Sequence, residues 1–485
     1  MVVMGLDIGS SSIKAVSFDE LGEPVRVAER EYATLCVGPN QYEIDPDAVW
    51  ACAQAAIREA AAGLEVGAIC AASFGEAAIP VDARGEALYN NIMYTDIRGQ
   101  SMRERLRGRL DDGRLYEITG APPHGMYSLY KIMWLKENRP EVYRRAAGFH
   151  HFADYILMKL GARPHMDLTL GARTQAMDLR RGRWSPEVLE AAGVEAAKMP
   201  ELAPSGTAVG RVRPALADSL GISQNALLVA GGHDQPCAAL GVGAVDAGLA
   251  ADGMGSVECI VPVFNRPLVN EAMRNSGFAC APHVLPGLYV TYAFNLSAGA
   301  LFKWYRSTVE PGADYASLIE AMAEDAQGLM LLPHFAGAAT PHMDPLARGA
   351  LFGLTLQHGR PHLMRALLEG ITYEMIVNLE RLKQAGFVIE RLMATGGLSR
   401  SGRLLKMKAD MMGLPVEAVS MEQAGARGAS LLAGGALGLF DPAQAAASTR
   451  RVASRFEPDA AEHAKYAERM NTYRKLYALA AQARM

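Results

Sequence analysis

The chain alternates between short apolar runs closed by small-residue turns and longer stretches with apolar positions at helical spacing. Val2 to Leu6 is apolar, Gly9-Ser10-Ser11-Ser12 is a turn, and Ile13 to Phe18 resumes with strand-forming residues. Leu21-Gly22-Glu23-Pro24 marks another turn before Val25 to Tyr32. Strands joined this closely predict an antiparallel meander. An alanine-rich stretch with few breakers, Pro46 to Ala62, predicts a helix. Farther on, Leu227-Leu228-Val229-Ala230 predicts a buried strand, closed by Gly231-Gly232-His233-Asp234-Gln235. A helix-like run of small residues follows, from Cys237 to Val245, and a second strand-loop-strand opening lies near Met254.

The two openings resemble each other. Gly9-Ser10 is followed, eight residues after the serine, by Phe18-Asp19, and Gly255-Ser256 is followed at the same offset by Phe264-Asn265. This spacing predicts two related domains facing one another. The length of 485 residues also exceeds one ordinary core. The expected units are residues 1–245, residues 246–440 and a tail over 441–485. The tail is rich in Ala, Arg and Glu, lacks glycine, and reads as helical and peripheral.

Composition narrows the classes. Apolar residues make up 50% and charged residues 21%, an ordinary soluble balance. A net charge of -4 gives no footprint for a polyanion. Arg103, Arg105, Arg107 and Arg109 alternate with Glu104, Leu106 and Leu110, as on the wet face of a helix, so no nucleic-acid partner is expected. The six cysteines are widely spaced and form no CxxC pair, which argues against a zinc site or a disulfide scaffold. Asp7 interrupts the first hydrophobic run, and no apolar segment approaches the roughly 20 residues that span a bilayer. The expectation is a soluble, cytoplasmic protein without a membrane partner, with a homodimer left possible.

Three loops have the make-up of anion sites. In Asp7-Ile8-Gly9-Ser10-Ser11-Ser12-Ile13-Lys14, a glycine and small hydroxyl residues let backbone N–H groups approach an anion. Ser10 and Ser11 add donors, Lys14 reaches toward phosphate, and Asp7 is placed to hold a magnesium ion through water. A serine-rich turn with no ligand fits this segment equally well. Asp252-Gly253-Met254-Gly255-Ser256 is a second loop of the same kind. Gly396-Gly397 follows an apolar segment and precedes Ser399, Ser401 and a helix-like run, a turn suited to a nucleotide or to a plain strand-to-helix connection. Asp234 follows a buried strand and two glycines, where a carboxylate projects into a cleft or caps a helix. Phosphoryl transfer to an alcohol needs this set: positioned phosphates, a metal, and a carboxylate that takes the hydroxyl proton.

Taken in order, these motifs resemble the FGGY carbohydrate kinase family, which includes xylulose, gluconate, fuculose and glycerol kinases. Asp7 to Lys14 is similar to its first phosphate motif, Gly231 to Gln235 to its catalytic-aspartate motif, and Gly255-Ser256 to its second phosphate motif. The stretch Leu332 to Gly349, leading into Phe352-Gly353-Leu354-Thr355, is similar to its long C-terminal signature. Ala394 to Ser399 resembles its adenosine motif, and Gly425 to Ala433 the small-residue helix that follows. The resemblance runs from about residue 2 to 440. It implies an α/β fold of two ribonuclease-H-like, actin-type domains with a central cleft. It also implies ATP and magnesium as cofactors, with phosphates between the first two loops near Ser297 and Gly299. Adenosine would lie near Gly396, Gly397 and Ser401, and Asp234 would act as the base.

On the substrate side, Tyr94-Thr95-Asp96-Ile97-Arg98 resembles the family's WxDxR element. Asp96 and Arg98 are then substrate-contact candidates, with an ion pair between them as the structural alternative. At Gly75-Glu76-Ala77 xylulose kinases carry Met-His-Gly and glycerol kinases Arg-Glu, and Phe74-Gly75 is closer to the fuculose type. Glu76 is suited to accept hydrogen bonds from hydroxyls and would repel an acid substrate. Gln235 is assigned to orient the substrate with it. His334, His342 and His358 lack ligand spacing and are expected to be structural. The implied activity is phosphorylation of a small sugar or polyol hydroxyl, with a ketopentose such as xylulose as the leading substrate. Glycerol- or erythritol-type and fuculose-type kinases are the alternatives. From other classes, a catalytically silent sugar- or nucleotide-binding protein and an actin- or chaperone-type ATPase are the rivals.

Overall fold

The computed structural model describes residues 1–20 and 22–483. It opens with β1 (Val2–Ile8), β2 (Ser12–Phe18) and β3 (Pro24–Glu31), paired antiparallel with Asp7 opposite Lys14. Gly22 turns the chain into β3 at φ 76°, a conformation that suits glycine, while Leu21 of the expected turn lies outside the described residues. Helix α1 (Pro46–Ala61) begins with proline at its first position, where the missing N–H costs nothing, and the Asp45 side chain caps it. Strand β4 (Val66–Ser73) then returns parallel to β1. A largely helical segment follows, including α2 (Ser128–Asn138) and α3 (Leu168–Ala172), with its own core around Tyr130, Phe149 and Val188. Strands β5 (Ala208–Arg211) and β6 (Leu227–His233) complete the first sheet, in the order β5-β6-β4-β1-β2-β3. Helix α4 (Asp234–Gly241) leaves directly from β6.

The second half repeats this plan. Strands β7 (Leu249–Met254) and β8 (Glu258–Phe264) form the antiparallel opening, and β9 (Tyr289–Val290) and β10 (Ala293–Asn295) pair with β8. Helices α5 (Gly299–Thr308) and α6 (Arg360–Gln384) precede β11 (Arg391–Thr395), which lies parallel to β7. Next come α7 (Gly402–Met412), β12 (Val416–Val419), α8 (Ala424–Ala436), β13 (Val452–Phe456) and α9 (Ala460–Gln482). Apart from β10 and a short edge strand at Ala281–Pro282, the sheet runs β9-β8-β7-β11-β12-β13, matching β3-β2-β1-β4-β6-β5 in order and direction. The internal likeness read from Gly9-Ser10 and Gly255-Ser256 is therefore a repeated sheet.

The helices that follow the equivalent strands β6 and β12 cross between the halves. α4 touches β7 and β8, while α8 packs on β1, β4 and β6, and the two helices lie against each other. Small residues make the crossing possible. A Cβ on Gly428 would stand 1.8 Å from the Cys237 carbonyl oxygen, one on Gly241 2.0 Å from that of Ala424, and one on Gly5 1.9 Å from that of Ala426. These backbones touch directly, which explains the composition of the stretch Gly425 to Ala433.

The tail departs from the all-helical expectation. Val452–Phe456 is an edge strand beside β12, with Arg455 near Glu417, because the open edge of β12 offers backbone partners that helix propensity does not register. α9 is not merely peripheral either, since it buries Tyr466, Met470, Tyr473 and Leu476 in the second core. Among the described residues no helix is long and apolar enough to cross a membrane.

Candidate active site

The end of β6 fixes the central carboxylate. A Cβ on Gly231 would lie 2.0 Å from the Ala71 carbonyl oxygen, so β6 closes tightly on β4 before the chain turns. The backbone N–H of His233 donates to Thr169 Oγ1 (2.7 Å), and that hydroxyl donates to Asp167 Oδ1 (2.6 Å), tying the strand end to α3. His233 then holds the cap position of α4 and Asp234 is its first residue, which removes the reading of Asp234 as the cap itself. About a quarter (24%) of the Asp234 side chain faces a cavity, while its Oδ1 is buried without an aligned hydrogen-bond donor. Burial, then the charges of Asp7 and Glu76, push its carboxyl up to about 8.

That cavity, of about 220 Å³, lies between the halves. Phe74, Glu76, Tyr94, Arg173, Asp234 and Gln235 line it from the first half, and Tyr292, Phe294 and Met343 from the second. Glu76 is held at φ 60°, a conformation uncommon outside glycine, with its backbone carbonyl accepting from Lys131 Nζ. Its carboxylate accepts from Arg173 Nε at 2.5 Å. The Arg173 guanidinium in turn lies 5.1 Å from the ring centres of both Tyr127 and Tyr292. The sequence reading placed Glu76 and Gln235 in this site and missed Arg173, Tyr292 and Met343. The available signal for Arg173 was a lone arginine in the small-residue run Leu170-Gly171-Ala172; for the other two there was none.

Asp96 and Arg98 do not line the cavity. Arg98 donates through Nε and Nη2 to Asp96 and through Nη1 to Glu43 (2.8 Å), and its guanidinium sits over Trp134. Asp96 also accepts from the Tyr42 N–H at 2.7 Å. The two-residue spacing lets the arginine fold back on its own aspartate, and this buried network satisfies itself. The substrate-contact expectation for both is corrected to a structural one.

On the phosphate side, Asp7 ends β1 beside the loop Gly9-Ser10-Ser11. The carbonyls of that loop are engaged by the segment after β3: Gly9 O accepts from Tyr32 Oη, Ser11 O from the Tyr32 N–H, and Ser10 O from Thr34 Oγ1. Asp7 abuts the start of α8, where a Cβ on Gly425 would stand 2.6 Å from its Oδ2. Burial raises its carboxyl, and Lys14 on β2 partly offsets this. Lys14 Nζ itself lies 3.9 Å from Glu29. In the second loop, Gly255 O accepts from the Gly299 N–H (3.0 Å) and Ser256 O from the Ala298 and Ala300 N–H groups. The start of α5 thus rests on the loop. Ser297 Oγ accepts from the Ala336 N–H (3.0 Å).

The repeat makes a difference between the halves visible. Counted from Gly9-Ser10 and Gly255-Ser256, Asp7 answers to Gly253; the neighbouring Asp252 faces the other side of the sheet, where it is ion-paired with Lys408, which also bonds Glu258. Among the described residues Asp7 has no such cation. Asp7 and Asp234 repel one another. That electrostatic gap fits a magnesium ion, which binds through one or two carboxylates, water and phosphate oxygens. Among the described residues no cluster of three acidic, histidine or cysteine side chains forms a closed metal cage.

A second cavity, of about 600 Å³, opens at the Gly396-Gly397 turn and is walled by Ser399, Gly402, Ala418, Met421, Gln423 and Phe456. Gly396 sits at φ 98°, with Met254 O 2.8 Å from a would-be Cβ, so this turn presses on the end of β7. Its size suits a nucleoside. Ser401 is absent from its walls, and its Oγ accepts from the Leu404 N–H and caps α7.

Comparison with known proteins adds a family. A model described as the N-terminal domain of the FGGY family of carbohydrate kinases matches residues 2–241, and one described as the C-terminal domain matches residues 254–437. The chain is 26% identical to the xylulose kinase of Lactococcus lactis, covering 98% of this chain and 96% of that one. The crystal structure of gluconate kinase from Lactobacillus acidophilus superposes with a TM-score of 0.92 at 25% identity, covering 99% of this chain and 98% of the other. That of xylulose kinase from Rhodospirillum rubrum gives 0.89 at 26% identity, covering 99% of each chain.

Proposed function

We propose that this chain, which belongs to the FGGY family of carbohydrate kinases, uses Asp234 to activate a hydroxyl of a small neutral sugar for attack on ATP, with a ketopentose such as xylulose as the leading substrate. The observation that carries this reading is one carboxylate, Asp234, in a small cavity shared by both halves and flanked by the Glu76–Arg173 pair. When bound, ATP with magnesium supplies an electrophilic terminal phosphoryl group whose charge the metal neutralises.

The residues divide the remaining work. Asp234 takes the hydroxyl proton as the oxygen bonds to phosphorus and the bridging oxygen departs with ADP. Glu76 and Arg173 offer an acceptor and donors side by side, a match for neighbouring hydroxyls. Their opposite charges leave the pocket without a cationic surplus for an acid substrate. The Gly9-Ser10-Ser11 and Gly255-Ser256 loops would cradle phosphates, Asp7 would hold magnesium through water, and the Gly396-Gly397 cavity would receive adenosine. Closure of the cleft on the sugar would exclude water and so limit hydrolysis of ATP.

A short polyol is the second reading. Glycerol kinases carry Arg-Glu where this chain has Gly75-Glu76, and Arg173 brings a guanidinium to Glu76 from elsewhere in the chain. A coupled assay of ADP release over ketoses, aldoses and polyols tests both readings. Xylulose is expected to give the highest kcat/KM. A higher value with glycerol or erythritol would favour the polyol reading, no turnover with any compound the silent binding protein, and sugar-independent hydrolysis the ATPase.

A further inference from the structure

His233 and Tyr292 have no part in the chemistry above, yet both touch its centre. His233 is 6% exposed and Tyr292 7%. Tyr292 Oη lies 3.1 Å from His233 Nδ1, and the two rings meet edge to face at 84°. On the far side of the imidazole, Nε2 lies 3.2 Å from Asp234 Oδ1. That line is not well aligned, and Oδ1 has no other donor. Catalytic hydrogen bonds in ligand-free enzymes are commonly loose and tighten in the loaded complex.

We propose that Tyr292, His233 and Asp234 form a relay in which Tyr292 O–H donates to Nδ1 and Nε2–H donates to Asp234 Oδ1, leaving the other carboxylate oxygen to accept the substrate proton. Tyr292 and His233 are then positioning residues for the base, and the proposal rests on the kinase reading. Three observations select this arrangement. The imidazole is neutral, because burial and the neighbouring charges of Arg173 and His151 hold it well below its ordinary range, so it carries a single N–H. Once Asp234 is ionised, as a base must be, its carboxylate beside Nε2 fixes that hydrogen there, since the opposite tautomer would set a lone pair against it. The His233 backbone is already pinned by Thr169, so the ring has little freedom except rotation about its own side chain.

Tyr292 belongs to the second half, between β9 and β10, whereas His233 and Asp234 belong to the first. Its ring also carries the Arg173 guanidinium. One tyrosine therefore ties the base, through His233, and the sugar-facing pair, through Arg173, to the opposite side of the cleft. The relay is complete only while the two halves are together.

The test compares wild type, Tyr292→Phe, His233→Gln, His233→Ala and the Tyr292→Phe/His233→Ala double variant, using the best sugar of the panel. Losing one donor in a charge-assisted chain is expected to lower kcat about 10-fold in Tyr292→Phe, with KM changed less than about 3-fold. His233→Gln, which keeps a donor near Nε2, is expected to retain more activity than His233→Ala. The double variant is expected to be no slower than His233→Ala, because both steps act through one path. Around the carboxylate, Asp7, Glu76 and Arg173 stay in place. The acid limb of kcat/KM should therefore move up by about one pH unit in Tyr292→Phe, as a lost donor disfavours the ionised base. A Tyr292→Phe enzyme with unchanged kcat and acid limb, or losses that multiply in the double variant, would overturn the relay. A wild type inactive on every sugar defeats the kinase reading instead, and the relay with it.

Discussion

Arg173 occupies the space that a side chain at Gly75 would need: a Cβ on Gly75 would stand 2.9 Å from Arg173 Cγ and 3.1 Å from its Cβ. The glycine is therefore the gap through which the arginine reaches Glu76. Gly75→Ala is expected to push Arg173 back from the cavity and raise the sugar KM about 10-fold, with a stability loss of about 1–3 kcal/mol from overpacking. Steady-state kinetics and denaturant unfolding check this, and an unchanged KM would mean that Arg173 does not serve the sugar. Arg173→Leu is expected to be worse, at about 3–5 kcal/mol, because it leaves a buried Glu76 carboxylate uncompensated.

The Asp234 carboxyl gives two pH predictions of opposite sense. A base must be ionised, so with its carboxyl raised to about 8 by burial, Asp7 and Glu76, kcat/KM is expected to climb as pH rises from 6 toward 8. Stability runs the other way. The folded state binds a proton that the unfolded chain releases near pH 4, so between about 4 and 8 stability falls as pH rises. Asp234→Asn removes that penalty. It is expected to raise Tm more at pH 8 than at pH 5, while lowering kcat by about 10²- to 10⁴-fold. Equal gains in Tm at both pH values would show that Asp234 has an ordinary carboxyl.

Much of this site was legible because its parts are local. Asp7, the Gly9 and Gly255 loops, Gly396-Gly397 and the aspartate after β6 each sit at a strand end, and strand ends are marked by short-range pattern. What was not legible depends on contacts far apart in sequence. Arg173 meets Glu76 across 97 positions and Tyr292 meets His233 across 59. No periodicity specifies such pairings. Arg98 misled for the same reason, since Glu43, its second partner, lies 55 positions away. The strand in the tail was hidden by composition, because its pairing partner β12 and not its own residues makes Val452–Phe456 a strand.

Lys408 neutralises two buried carboxylates under the second loop. Its ammonium, fully buried on α7, bonds Asp252 at the end of β7 and Glu258 at the start of β8, so it clamps the base of the Gly255-Ser256 loop. Lys408→Met leaves two buried carboxylates facing each other and is expected to cost about 3–5 kcal/mol. The loop should loosen before the sugar pocket does. The expected kinetic sign is thus a rise in KM for ATP with little change in KM for the sugar. Denaturation midpoints together with both KM values check this, and equal rises in both would place the damage elsewhere.

The contact between α8 and α4 bears on the base from outside the cavity. Gly428 lets the α8 backbone rest on the carbonyl of Cys237, which lies one turn after Asp234 on α4. A methyl group at 428 would have to stand 1.8 Å from that oxygen, and neither partner is a side chain that can rotate away. Gly428→Ala must therefore separate the helices, and α4 is the one that carries the base. A displacement of about 1 Å at a reacting group is enough to cost about 10²-fold in rate. The variant is expected to lose that much in kcat with a smaller change in its KM for ATP, because the Gly396-Gly397 cavity meets α8 only at its cap residue Gln423, more than a turn before Gly428. Kinetics at saturating ATP, with a thermal melt to confirm that the chain is folded, measure the effect. A folded variant with parental kcat would show that α4 can shift without moving Asp234.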